Sequence, residues 1–183
     1  MVYYIADTHF GHEKIIKRCG RPFASVRDMN EKMIAAWNER VGDEDTIWIL
    51  GDMFHQCANP EAILWRLKGR KRLVLGNHDE TWTNRVDMEL FFDSVDWIAE
   101  TQEGDRELIL CHYPMMAWKH KKRAWMVHGH IHNDTDGDYW HLIRDNPRLL
   151  NAGVDVNGYR PVTFEEMEAN NAVFKVSGPR GRR

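Results

Sequence analysis

Five short stretches of the 183-residue chain carry side chains able to bind a metal ion or move a proton. They are Asp7-Thr8-His9, Gly51-Asp52, Gly76-Asn77-His78-Asp79, His112-Tyr113-Pro114 and Gly129-His130-Ile131-His132. Each follows a short apolar run: VYYIA (2–6), TIWIL (46–50), RLVL (72–75), LILC (108–111) and AWMV (124–127). Their length and their β-branched or aromatic content favour buried strands over helices. In an open α/β sheet ligands bind outside the carboxyl ends of the strands, so these distant residues are expected to converge. One histidine or one Gly-Asp after a strand is ordinary turn chemistry. Five such pieces in the same structural position mark a site.

Carboxylate, imidazole and amide oxygen without thiolate suit manganese, iron, zinc, cobalt or nickel and disfavour iron–sulfur chemistry. The donors exceed what one ion needs. They fit two divalent ions roughly 3.5–4 Å apart, as in enzymes that hydrolyse phosphate esters. His130 and His132 are two apart and so face the same side of an extended segment.

In this order the five motifs resemble the calcineurin-like metallophosphoesterase superfamily: D-x-H, G-D, G-N-H-D, a histidine before Tyr-Pro, and G-H-x-H, spread over residues 7 to 132. The resemblance implies an α/β fold of four layers (α-β-β-α), two mixed β-sheets packed face to face and flanked by helices. It implies that Asp7, His9 and His132 bind one metal, that Asn77, His112 and His130 bind the other, and that Asp52 bridges them. Manganese is the first expectation for both ions. His78 would be the catalytic histidine at the leaving group, oriented by Asp79. The reaction implied is attack on phosphorus by a metal-bridging hydroxide, with His78 protonating the departing oxygen.

The substrate expected is a nucleotide or another compact phosphoester, cleaved by a phosphodiesterase or phosphatase. GDMFHQC departs from the GDxxDRG pattern of the superfamily's protein phosphatases, and the chain has no room for the extra domains of its DNA-repair nucleases. The basic run Lys119 to Arg123 could contact a substrate phosphate, which keeps an RNA or DNA end as an alternative. A second alternative is a non-catalytic scaffold, a use some members make of the fold. Those members typically lose the catalytic histidine, whereas here His78 and every ligand position are filled.

Other candidates read as less chemical. His128 is balanced between supporting the site and packing, while His12 and His55 read as loop residues near it. Phe10 and Phe54 read as core, Cys111 as a small buried residue, and His120 and His141 as surface. NDTDGDYW (133–140) fails as a calcium loop, because its glycine is at the wrong offset and the closing glutamate is missing. Arg160, in the NGYRPV turn, could reach an anion.

Helices must position these strands. In DMNEKMIAAWNERV, Met29, Met33, Ile34, Trp37 and Val41 form one apolar stripe. NPEAILWRLKG has Asn59 as N-cap, Pro60 at the first helical position and Gly69 past the end. This βαβ-like order implies a largely parallel sheet, with a mixed or second sheet in the later half, where LLNAGVDV (149–156) is a weaker strand. One domain over residues 1–176 and a basic tail over 177–183 are expected. A composition of 43% apolar and 29% charged residues excludes disorder, and no apolar run reaches the ~20 residues that span a bilayer. The net charge of −3 gives no global pull toward nucleic acid. Cys19, Cys57 and Cys111 form no CxxC pair, which points to a reducing compartment and away from a thiolate metal site; no signal peptide is readable before Asp7, so the cytoplasm is the expected location.

Overall fold

A computed structural model describes residues 1–178. The elements are β1 (Val2–Ile5), α1 (Glu13–Cys19), α2 (Val26–Arg40), β2 (Thr46–Leu50), α3 (Pro60–Leu64), β3 (Arg70–Val74), α4 (Glu80–Thr83), α5 (Met88–Phe91) and β4 (Phe92–Asp96). After them come β5 (Ile98–Glu103), β6 (Arg106–Cys111), β7 (Trp125–His128), α6 (Trp140–Arg144), β8 (Leu149–Asn151), α7 (Val154–Asn157) and α8 (Phe164–Ser177). Two four-stranded sheets result, ordered β1-β2-β3-β4 and β5-β6-β7-β8. All ladders of the first are parallel. The second is mixed, because β5 runs antiparallel to β6.

Strand alternation builds the four expected layers. Tyr4, Ala6, Trp48 and Leu50 point from the first sheet into a core shared with Leu108, Leu110, Val127 and Leu150 of the second. Their neighbours Tyr3, Ile5, Ile47 and Ile49 point the other way, onto Met29, Met33 and Trp37 of α2. On the far side, Ile109, Met126 and Leu149 meet Ile143 of α6. The stripe on α2 is buried as its spacing implied, and Ser25 caps the helix by accepting from the amide of Asp28. Phe10, Phe54 and Cys111 lie in the core, and His120 and His141 on the surface. Among the described residues no helix is long and apolar enough to cross a membrane. The basic tail expected over 177–183 lies, after Gly178, outside the described residues.

Two expectations about elements need correction. The helix opened by Asn59 and Pro60 stops at Leu64 rather than near Gly69. Asn38 of α2 binds the carbonyl of Arg66 and the amide of Lys68, and Trp37 Nε1 donates to the carbonyl of Lys68, so the chain is drawn out of the helix. LLNAGVDV is a strand only to Asn151. There the Oδ1 of Asn151 takes the amide of Gly153, and Asn157 Nδ2 bonds back to the carbonyls of Asn151 and Gly153, turning the chain into α7. The edge strands β4 and β5 were not anticipated at all.

Candidate metal centre

Beyond the strands the chain makes tight, strained turns. Eight non-glycine residues have positive φ among the described residues, and five of them are expected ligands: Asp7, His9, Asp52, His130 and His132. Each such residue costs on the order of 1 kcal/mol or more, and clustering of this kind is typical of functional sites. The first two turns run side by side, with the amides of Asp7, His9 and Phe10 donating to the carbonyls of Gly51, Asp52 and Met53. Gly51 itself is at φ +81°, and a Cβ there would stand 2.4 Å from Nδ1 of His112. Only glycine lets the second and fourth motifs approach so closely.

Asp7, His9 and His132 each place a ligand atom within 4.8 Å of the others, as expected for one ion. Burial raises the Asp7 carboxyl to about 6, with His132 and His112 pulling against it. The buried Nε2 of His9 has no hydrogen-bond partner. Burial, with His132 and Arg21 nearby, pushes His9 well below the usual imidazole range, so it is a neutral donor. Burial also opposes charge on His132, but Asp7 and Asp155 override it and hold the imidazole up at about 10. Its Nδ1 lies 2.8 Å from Oδ2 of Asp155, which leaves Nε2 as the ring nitrogen free to coordinate.

The second expected set also assembles. His112 directs Nδ1 at the carbonyl of Leu50, 2.8 Å away. A carbonyl only accepts, so Nδ1 carries the proton and Nε2 offers a lone pair. That Nε2 lies 3.2 Å from Oδ1 of Asn77, and Nδ1 of His130 lies 3.0 Å from the same oxygen. Between the two sets sits Asp52, whose Oδ2 is 3.5 Å from Nε2 of His9 and 3.6 Å from Nε2 of His112. Asp7, Asp52 and His112 form a further trio within 4.8 Å. Oxygen and nitrogen donors converging around a buried imidazole nitrogen, Nε2 of His9, that has no hydrogen-bond partner fit divalent cations.

His78 stands at the rim, its ring about one-third exposed and its Nε2 3.9 Å from Oδ2 of Asp52. The expected orienting contact from Asp79 takes another form. The Asp79 carboxylate accepts from the amides of Asp52, Met53 and Gly76 and from Nε1 of Trp82, at 2.7–3.0 Å. With four donors aimed at its two oxygens, it braces the Asp52 and Asn77 turns instead of holding the His78 tautomer.

His12 and His55 are nearer the chemistry than their loop positions suggested. The His55 ring centroid lies 4.3 Å from those of both His12 and His78, and His12 contacts His9. His128 is fully buried beneath the last motif, where its Nδ1 meets the carbonyl of Gly129 at 2.9 Å. Part of the basic run is paired: Lys119 with Glu100, and His120 and Arg123 with Glu107, while Lys121 reaches the carbonyl of Met116. The reading from the sequence missed Asp155, Arg21 and Tyr113. Tyr113 packs its ring 4.7 Å from that of His130. The one signal for Asp155 was an acid between two valines in an apolar run, where a carboxylate needs a partner.

Comparison with known proteins gives the family. The chain is 30% identical to the uncharacterized protein MJ1445 of Methanocaldococcus jannaschii, over 90% of this chain and 87% of that one. It is 29% identical to the gene 66 protein of Mycobacterium phage D29, over 84% and 87%. The structure of AQ665 from Aquifex aeolicus, a protein of unknown function, superposes with a TM-score of 0.71 at 25% identity, covering 92% of this chain and 98% of that one. The pattern that describes the calcineurin-like phosphoesterases matches residues 1–171, so the chain belongs to the calcineurin-like phosphoesterase family.

Proposed function

We propose that the protein hydrolyses phosphate esters with two divalent metal ions, manganese first, and that its substrate is a nucleotide or another compact phosphoester. Asp52 carries this reading, because one carboxylate oxygen lies within 3.5–3.9 Å of imidazole nitrogens of His9, His112 and His78. Asp7, His9 and His132 would hold one ion and Asn77, His112 and His130 the other, with Asp52 shared. When bound, such ions make water reactive near neutral pH and offset charge on the phosphoryl oxygens.

The chain's own groups do the rest. Asn77 adds an oxygen without adding negative charge where an anionic phosphate must approach. His78, at the rim, is placed to give a proton to the departing oxygen. A cleft of about 400 Å³ opens beside His130 and His132 and is lined by Arg18, Asp134, Asp136 and Tyr139. Its size suits a small substrate. Lys119 and Arg123 are paired with glutamates, which leaves Lys121 and Lys122 as the cations of that run for the alternative reading, a nucleic-acid end.

A hydrolysis panel with manganese tests the reading, using bis-p-nitrophenyl phosphate, p-nitrophenyl phosphate, and 2′,3′- and 3′,5′-cyclic nucleotides. Turnover abolished by chelation and restored by metal is the expected result, and a preference for the diesters would make the protein a phosphodiesterase. No turnover with manganese, iron, zinc, cobalt or nickel would favour the scaffold reading.

A further inference from the structure

Asp155 belongs to none of the five motifs, yet it joins two ends of the candidate site. Its Oδ2 lies 2.8 Å from Nδ1 of His132. Arg21 grips it from the other side, with Nε on Oδ1 at 2.8 Å and Nη2 on Oδ2 at 3.0 Å. Both side chains of this ion pair are shielded from solvent (0% exposed). The same guanidinium donates to the carbonyl of Asp7 at 2.7 Å and that of Thr8 at 2.8 Å. Asp7 and His9 hold positive φ on either side of Thr8, so those carbonyls belong to a strained turn that needs outside support.

We propose that Asp155 and Arg21 form a positioning pair for one metal only, Asp155 fixing the ring and tautomer of His132 while Arg21 clamps the Asp7–Thr8 turn opposite it. A carboxylate accepts from Nδ1–H and so leaves Nε2 bare for coordination. The guanidinium offsets the carboxylate's charge, and its planar fork serves Asp155 and the two carbonyls at once. Cys19, His132 and Asp155 also bring ligand atoms within 4.8 Å of one another, which invites a metal site made of these three. Arg21 already holds both oxygens of Asp155 there, so the cation's place is filled. His112, in the other set, is fixed by the carbonyl of Leu50 and is independent of this pair.

The inference rests on the two-metal reading, and one titration separates the two. Wild-type protein, stripped of metal and titrated with manganese by calorimetry, is expected to bind two equivalents. In D155N, which keeps the volume but not the charge, one equivalent should weaken by about 10–100-fold while the other is unchanged. Long-range ¹H–¹⁵N spectra of zinc-loaded protein should show His132 protonated at Nδ1, with that tautomer diluted in D155N. If D155N does not fold, R21K serves: it retains a cation but loses the fork, and the same one-sided weakening is expected. A two-equivalent wild type whose variants lose both equivalents alike, or neither, overturns the positioning role alone. A wild type that binds none of manganese, iron, zinc, cobalt or nickel overturns both readings.

Discussion

Gly129 lies so close to Asp7 that a Cβ on it would stand 2.6 Å from the Asp7 Oδ2 and 2.7 Å from the Cβ of Ala6. The next amide, of His130, donates to both oxygens of that carboxylate at 3.1 and 3.0 Å. The backbone of the last motif therefore rests directly on the Asp7 side chain of the first, and the contact depends on a missing side chain on Gly129. Gly129→Ala should force the two turns apart at a cost of about 1–3 kcal/mol, the usual penalty of overpacking. For a chain of this size that is a fall in Tm of roughly 2–4 °C per kcal/mol, with manganese content reduced as well. Thermal melts with and without chelator, beside metal analysis, check it. A variant matching the wild type in both would show that the turns have slack.

Asp79 should matter for architecture before chemistry. Its carboxylate takes three backbone amides and the Trp82 indole, all in buried surroundings. Burial raises its pKa, while the amide of Gly76 and the Trp82 indole pull it back. In Asp79→Asn only one oxygen remains, so at least one of those buried donors loses its acceptor, at about 1–3 kcal/mol for each. Urea unfolding should show the loss in metal-free protein, where no effect on catalysis can be confused with it. Trp82→Phe removes one donor and leaves the carboxylate intact, so its cost through this network should be smaller. If D79N were as stable as wild type, the bracing role would be wrong.

The five motifs were legible because each ends a strand, and strand order brings strand ends together whatever the loops between them do. The four layers were legible only through the motifs, since alternation within VYYIA or TIWIL does not say what covers each face. β4 and β5 escaped notice for a physical reason. They are edge strands whose FDSVD and IAETQE mix exposed acids with a few apolar residues, so they show neither a continuous apolar run nor clean alternation. The Arg21–Asp155 pair joins residues 134 positions apart. No local spacing encodes such a contact. The role of Asp79 was misplaced for a related reason, because GNHD puts the acid beside His78 in sequence while the turn aims it at the backbone of Asp52 and Met53.

Metal-free protein should be most stable near pH 6.5. Burial lowers His12, His128 and His130 to about 4 from an ordinary 6.5, so between those values the unfolded chain binds protons that the folded one refuses. Stability therefore climbs as pH rises from about 4 to 6.5. Asp7, raised by burial from 3.8 to about 6, opposes part of that climb. His132 acts in the reverse sense above it. With a folded value of about 10 against 6.5 unfolded, its contribution is complete below 6.5 and is lost as pH rises toward 10. Urea unfolding in chelator at pH 5, 6.5, 8 and 9 checks both limbs, and no fall from 6.5 to 9 would contradict the role given to His132. Metal at 100 times its Kd should add about 2.7 kcal/mol. It should also flatten the alkaline limb, because coordination displaces the His132 proton.

His78→Ala should separate proton delivery from metal binding. The imidazole can be removed without disturbing Asp52, since it is the backbone amide of His78 that donates to Oδ1 of Asp52, at 2.9 Å. The turn also keeps its bond from Thr81 Oγ1 to the His78 carbonyl, at 2.7 Å. Manganese content should therefore match the wild type, while kcat with an alkyl phosphoester falls by about 10²–10⁴-fold. A p-nitrophenyl ester should lose much less, because p-nitrophenolate departs without needing a proton. That difference between leaving groups distinguishes a proton donor from a residue that only binds phosphate, which would lose both activities alike. Full activity of the variant toward the alkyl ester would remove His78 from the reaction and leave the neighbouring His55, whose ring centroid lies 4.3 Å away, as the donor to examine.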